Sequence, residues 1–225
     1  MIRIHDLRSE EQFRDAVMLQ KIIWGYEDDT EVMPARFFVV AVKVGGQAFG
    51  AYDGEKLVGF LLAIPGLKPD RRAYLHSHMM GVLPDYRNHG IGRQLKLHQR
   101  DDAIARGIDL IEWTFDPMQL KNAWFNIEGL GAIARRYVRN QYGISSSALQ
   151  GGLPTDRLVA EWWVTAERVR PPVAERIRVP AERSIAIQEK MAHHFEAAFA
   201  RGLAVFGIIR EPEAIEYLLG VVEWG

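Results

Sequence analysis

The chain predicts a mixed α/β fold, a central mixed sheet flanked by helices. Three observations predict it. First, the apolar stretch Ala73 to Val82 has strand character and runs through a short turn into the helix-forming residues Arg93 to Arg106, after which Asp109 to Phe115 is strand-like again. A strand–helix–strand unit of this kind is expected as a right-handed crossover with parallel strands. Second, Gln47 to Tyr52 and Lys56 to Ile64 flank Asp53-Gly54, a strong hairpin signal. Third, Ser9-Glu10-Glu11-Gln12 has the form of a capping box, and Phe13, Val17 and Trp24 recur behind it at helical spacing.

Composition narrows the class. The chain has 225 residues, is 48% hydrophobic and 25% charged, and has a formal net charge of -1. That is enough chain for a full core. The charge balance gives no reason to expect nucleic acid or an anionic membrane as partner. No apolar run has the length of a membrane span. Met1 to Asp6 lacks the apolar stretch of a signal peptide, so a cytoplasmic protein is expected. Cysteine is absent, which excludes disulfides and a thiol nucleophile.

Along the chain, Ile2 and Ile4 mark a short first strand, and Gly25 closes the first helix. Glu27 to Glu31 is an acidic loop, either solvated surface or an attractor for a cationic amine. Ala35 to Val44 reads equally as helix or strand. Pro65-Gly66 is expected to end the second hairpin strand, and Leu120 to Leu130 to be helical. Ile133 to Arg139 is a further strand, and Ser145 to Ser147 with Gly151-Gly152 a loop. Beyond it come a strand at Arg157 to Thr165, a break at Pro171-Pro172, an amphipathic helix from Ala186 to Arg201, and strands at Leu203 to Ile209 and Ala214 to Val222. Alternation of Ile215, Tyr217, Leu219 and Val221 predicts one buried face on the last strand. The expected organisation is a core over residues 1–150 and a β–α–β–β extension over 151–225 packed on it.

The chemistry concentrates in the turn after Val82, which reads Leu83-Pro84-Asp85-Tyr86-Arg87-Asn88-His89-Gly90-Ile91-Gly92-Arg93. The first turn of a helix presents N–H groups without intrahelical partners and the positive end of the macrodipole. A phosphate fits there. Gly90 and Gly92 remove side chains where an anion approaches the backbone, and Arg87 supplies a cation suited to phosphate oxygens. The local reading is a pyrophosphate cradle.

Arg87-x-x-Gly90-x-Gly92 after Val82-x-Pro84-x-Tyr86 resembles the acetyl-CoA signature of the GNAT acetyltransferase superfamily. The resemblance spans roughly Ile2 to Tyr142. It implies the GNAT fold and an acyl-CoA-dependent N-acyltransferase that uses acetyl-CoA as co-substrate and no metal. It also implies direct attack by a primary amine, on a small molecule or a peptide, in a ternary complex; a homodimer is admitted. By the same resemblance, backbone groups of Met80, Gly81 and Val82 hold the pantetheine arm as an added strand would, Arg87 to Arg93 hold the pyrophosphate, and Asn122 bonds a pantetheine amide. The family's helix after the second parallel strand departs here: its tyrosine position is Ile127 and its final aromatic is Ala132. A catalytically degenerate acyl-CoA sensor or scaffold is the alternative that this departure supports.

Acetyl transfer to an amine also needs a base, because an alkyl ammonium of pKa ~10.4 is almost wholly protonated at pH 7. His76 and His78 lie two apart on the strand before the cradle. His78 is the candidate base, where family members often place one, and its ordinary pKa of ~6.5 suits the task. Glu112 on the neighbouring strand is the alternative, or else a buried carboxylate paired with an arginine. With Ile127 in place of tyrosine, Tyr137 and Tyr142 are the hydroxyls left to serve the leaving thiolate. His193-His194 form no recognisable metal pattern. A dinucleotide fingerprint would need a third glycine where Leu95 stands, and no Walker loop is present.

Overall fold

The computed structural model describes residues 1–26, 28–143, 145–146, 151–168 and 170–223. Glu27 of the acidic loop and Ser147 of the serine run lie outside the described residues. The chain divides into two compact units, Met1–Ile111 with Ser146–Gly151, and Glu112–Ser145 with Gly152–Gly225.

In the first unit, β1 (Ile2–Asp6), β2 (Gln47–Asp53), β3 (Lys56–Leu67) and β4 (Ala73–Val82) pair antiparallel in that order. Helices α1 (Glu10–Trp24), α2 (Ala35–Lys43) and α3 (Ile91–Ala105) complete it. The capping box is formed: Gln12 N–H donates to Ser9 Oγ (3.2 Å) and Ser9 N–H to Gln12 Oε1 (3.0 Å). Gly25 ends α1 at φ 59°, a left-handed cap that glycine adopts without a Cβ penalty. The segment that sequence left open is helical. Phe38 and Ala41 are its buried pair, and Phe38 packs on Phe13 and Phe60 at ring distances of 5.8 and 6.0 Å.

Pro65-Gly66 does not end β3, which continues to Leu67 opposite Ala73. The reason is positional. Pairing with β2 stops at Ala63, so beyond it β3 has β4 on one side only. A proline that lacks an N–H is tolerated on a strand with a free edge.

The second unit takes strands from both sides of residue 150. Its order is β5 (Leu110–Phe115), β7 (Arg157–Trp163), β6 (Ile133–Val138), β9 (Ala204–Glu211), β10 (Ala214–Gly220), β8 (Glu175–Pro180). β8 was not expected from sequence. Helix α4 (Leu120–Trp124) passes directly into a π-helical turn, Phe125–Gly129, and α5 (Ile185–Ala200) buries Met191, Phe195 and Ala198. β10 is covered on both faces rather than one. Tyr217 meets Phe195 of α5 at 5.1 Å, and Leu218 clusters with Ile133 and Phe206 on the other side. Among the described residues, no helix is long and apolar enough to cross a membrane.

Candidate active site

The cradle is built by a change of backbone direction. β4 ends at Val82, Leu83 N–H bonds to Val58 O (2.9 Å), and a 3-10 turn over Pro84–Tyr86 leads to Arg87. Asn88 (φ 65°) and Gly90 (φ 77°) are left-handed, and α3 starts at Ile91. A Cβ on Gly90 would meet nothing within 4 Å. Glycine is therefore required by the dihedral, and the space beside it is open to a ligand. Gly92 is different: it has no positive φ, and its Cβ would make an ordinary 3.5 Å contact with Met80 Cε. Ile91, 2% exposed, roots the helix start in the core while Arg87, Asn88, His89, Gly90 and Arg93 remain exposed.

Arg87 is held by carbonyls. Its Nε donates to Val82 O (3.2 Å) and an amino group to Ile23 O (3.4 Å). Tyr86 donates to Asp53 Oδ2 (3.3 Å), and Lys56 Nζ lies 5.4 Å above the Tyr86 ring. The turn is thus tied to the hairpin and to the end of α1. Upstream, Met80, Gly81 and Val82 pair with Leu61, Phe60 and Gly59. A Cβ on Gly81 would come within 2.8 Å of Ile23 Cδ1, so only glycine lets α1 pack at this point.

β4 carries one irregularity. Leu62 pairs with Met79 and Ala63 with Ser77, which leaves His78 as an extra residue, a β-bulge. Bulges re-aim side chains and are frequent beside active sites. The His78 ring lies 6.1 Å from Phe37 of α2 and 6.1 Å from the His76 ring. Burial pushes the His78 pKa below the usual histidine value, so the imidazole is neutral at pH 7.

The acetyltransferase (GNAT) family model matches residues 4–123, more than half of the chain. The chain belongs to the GNAT acetyltransferase family. Solved structures resemble it over about three quarters of its length at low identity. The ribosomal-protein-S18-alanine N-acetyltransferase from Escherichia coli has TM-score 0.58 and 18% identity, covering 74% of this chain and 96% of that one. A putative GNAT acetyltransferase from Desulfovibrio desulfuricans has TM-score 0.58 and 14% identity, covering 73% and 100%. Arabidopsis thaliana NAA60, solved with a bisubstrate analogue, has TM-score 0.56 and 14% identity, covering 72% and 98%. These likenesses concern the fold. No curated protein sequence matches the chain.

In the second unit of this GNAT protein the remaining candidates are engaged. Glu112, 4% exposed, is bonded by Arg136 at 2.5 Å. Tyr137 donates to Asp156 Oδ2 (2.7 Å) and stacks on Phe195 (5.8 Å). Burial, and then the Asp156 carboxylate, push its phenol far above the usual range, so it stays protonated. Tyr142 Oη lies 2.8 Å from Thr114 Oγ1. Asn122 is exposed on α4 and accepts from Asn126 Nδ2 (3.5 Å), whose own oxygen accepts from Trp113 Nε1 (3.1 Å). Ile127 is wholly buried in the π-helical turn. The acidic loop is partly used internally: Asp28 caps Thr30 N–H (2.8 Å), Asp29 pairs with Lys21 (2.6 Å), and Glu31 accepts from Ser146 N–H (2.7 Å).

Sequence reasoning passed over a buried polar chain in the first unit. Lys96 Nζ donates to Ser77 Oγ (2.8 Å) and Gln99 Oε1 (3.0 Å). Gln99 and Gln47 bond each other (2.9 Å), and Gln47 reaches Asp102 (2.5 Å). Burial pushes the Lys96 pKa well down. The available signal was Gln99, which falls between Leu95 and Ala103 on the apolar stripe of α3.

Proposed function

We propose that the protein is an acetyl-CoA-dependent N-acetyltransferase that joins an acetyl group to a primary amine by direct attack in a ternary complex. The observation that carries this reading is the cradle: a helix start with free N–H groups, an open left-handed Gly90, and Arg87 held beside them. The residues present fit a pyrophosphate. The bound co-substrate supplies a thioester carbonyl.

The chain's part is to hold and to move protons. The N–H groups from Gly90 to Arg93 and the Arg87 guanidinium bind the diphosphate. The backbone of Met80 to Val82 steadies the adjoining arm, and Asn122 adds an amide contact. His78, neutral at pH 7, takes the proton of the attacking amine, directly or through one water. As the N–C bond forms and the C–S bond breaks, that proton passes to solvent and the thiolate leaves. Glu112 is the reserve base. Tyr137 is the reserve acid, already donating to Asp156. Peptide acceptors are favoured among the candidates, since neighbours of this fold have been solved bound to Gag peptide and CoA and with the bisubstrate analogue CoA-Ac-MVNAL.

A second reading, acyl-CoA binding without turnover, rests on Ile127 at the family's tyrosine position. Calorimetry with CoA and a thiol-release assay with acetyl-CoA separate them. The assay panel holds primary amines, amino acids and short peptides. Amine-dependent thiol release supports the enzyme. Binding with no release for any acceptor favours the second reading, and absence of CoA binding overturns both.

A further inference from the structure

We propose that the outer edge of β8, with the groove between it and α5, takes up an acidic extended segment of a partner protein as an added strand. The inference does not depend on the acyl-transfer reading. β8 is the terminal strand of its sheet, and among the described residues it pairs with β10 alone. Ala181 N–H donates to Glu213 O (2.8 Å), opposite which it continues the β8–β10 register. Antiparallel bonding alternates, so residues 175, 177 and 179 bond inward to β10. Residues 176, 178 and 180 then turn their main-chain groups outward. Pro180, with no N–H to offer, occupies an outward position, as a proline on an edge strand must. Arg176 and Arg178 present the full set of donors and acceptors.

The two faces of that edge differ. Ile177 and Val179 are buried on the α5 side, level with Tyr217 and Phe195. Arg176 and Arg178 are exposed on the other side. A groove of about 370 Å³ lies between β8 and α5, with Ile187 and Met191 of α5 in its apolar wall and Lys190 and His194 among its polar residues, and the β8 edge at Arg176 and Arg178 borders it as well. That volume is within the range of binding clefts. A strand added here would point alternate side chains into the groove and the others at Arg176 and Arg178. The matching sequence alternates aliphatic residues with Asp or Glu. Arg176 and Arg178 already pair with Glu216 (2.8 Å) and Glu211 (2.9 Å). Each guanidinium has five donors, so a carboxylate on the outer side adds to these pairs without displacing them.

The same geometry argues against a second copy of the chain. Two copies of β8 meeting about a two-fold axis as one continuous sheet must oppose residues of equal parity. Every such register that pairs four or more residues of this strand sets an arginine against Arg176 or Arg178 of the other copy. Like charges directly opposite are destabilising. Arginines on an edge thus block self-pairing while admitting an acidic strand.

The experiment uses the full chain and a fluorescently labelled, blocked octapeptide alternating Glu and Val. Anisotropy is read against the same peptide with Lys for Glu, and against one N-methylated at alternate residues. Expected are binding by the acidic peptide alone, loss on N-methylation, weakening as salt rises, and about tenfold or greater weakening in an Arg176→Glu/Arg178→Glu variant. Retained CoA affinity and an unchanged melting profile establish that the variant is folded. An Arg176→Ala/Arg178→Ala pair, expected to give an intermediate loss, serves if it is not. Equal affinity for the acidic and basic peptides, or for wild type and both variants, overturns the proposal. So does a concentration-dependent dimer in sedimentation that the Arg→Glu changes abolish, which would make a second copy the occupant.

Discussion

Gly90 separates what the turn after β4 needs for folding from what the proposed phosphate cradle needs. Its φ is 77°, and a Cβ there meets nothing within 4 Å. Any L-residue therefore meets dihedral strain and no clash, about 1–2 kcal/mol. For a chain of this size that lowers the melting temperature by about 2–8 °C, at about 2–4 °C per kcal/mol. Gly90→Gln should show this loss. Gly90→Glu should lose less, by ~0.3–1 kcal/mol, because a carboxylate at the N-terminus of α3 is favoured by the helix dipole. Binding of CoA should follow the opposite order. A unit charge about 4 Å from a phosphate costs between about 1 kcal/mol in water and about 4 kcal/mol at a surface-like effective dielectric. The Glu variant should then bind about 5-fold to about 900-fold more weakly than the Gln variant. The gap should shrink as salt rises towards ~1 M, where the screening length falls to ~3 Å. Calorimetry with CoA and thermal melts on the three proteins give both orders. Equal CoA affinity in the Glu and Gln variants, each folded and each as tight as wild type, would refute the phosphate assignment.

The other expectations are briefer. His78→Ala should lower kcat/KM for amine by ~10²–10⁴ with CoA affinity unchanged, and the acidic limb of the rate profile, lying below the ordinary histidine range because burial lowers the His78 pKa, should vanish; an unaltered profile removes His78 from the mechanism. Lys96 has a lowered folded pKa, so the unfolded state binds more protons and wild-type stability should rise from neutral pH towards the ordinary lysine pKa. Urea titrations should show that rise missing in Lys96→Met, and parallel curves would contradict it. Residues 1–150 alone should aggregate or unfold without cooperativity, since β6 loses β7 and β9, and Tyr137 loses Asp156; a monomeric, cooperatively melting fragment with full CoA binding would count against this. Ile127→Tyr should destabilise by ~1–3 kcal/mol, because the side chain is wholly buried, and should not raise kcat; a faster variant would show that the position still faces the reaction.

What sequence made legible was local. The capping box, the Asp53-Gly54 hairpin and the turn after β4 each depend on residues within a few positions of one another. Their physical logic can be read without knowing the sheet order. The misses depend on distant partners. Phe37 to Val42 is six apolar residues in a row, and helix was decided by what Phe38 packs against. Pro65 could not be placed without knowing where β2 ends. β8 alternates Arg176, Ile177, Arg178, Val179, a period-two signal, but it is short and follows Pro171-Pro172. The charge networks were hidden apart from Glu112, which could be read as a buried carboxylate paired with some arginine and is paired with Arg136. Glu128 in the π-helical turn accepts from Arg168 (2.9 Å), Arg170 (2.5 Å) and Ile208 N–H (2.8 Å), partners 40 or more residues away. In the candidate site, the cradle residues were readable as a group, whereas the bulge at His78 and the pairing of Glu112 with Arg136 required the register of neighbouring strands.

The buried Ile127 bears on turnover less than it first suggests. Two proton problems accompany acetyl transfer at pH 7, and they are unequal. Bringing an alkyl ammonium of pKa ~10.4 to its nucleophilic form costs about 4.6 kcal/mol. Expelling a thiolate whose thiol has an ordinary pKa of ~8.5 leaves it only about 2 kcal/mol above its protonated form. A base is thus worth more to this reaction than an acid. The chain retains an imidazole kept neutral by burial on the strand that leads into the cradle, and lacks a hydroxyl at the position where a GNAT tyrosine would stand. Loss of the acid alone predicts a slower enzyme whose rate still rises with pH as the amine is freed of its proton and falls when His78 protonates. It does not predict a silent one.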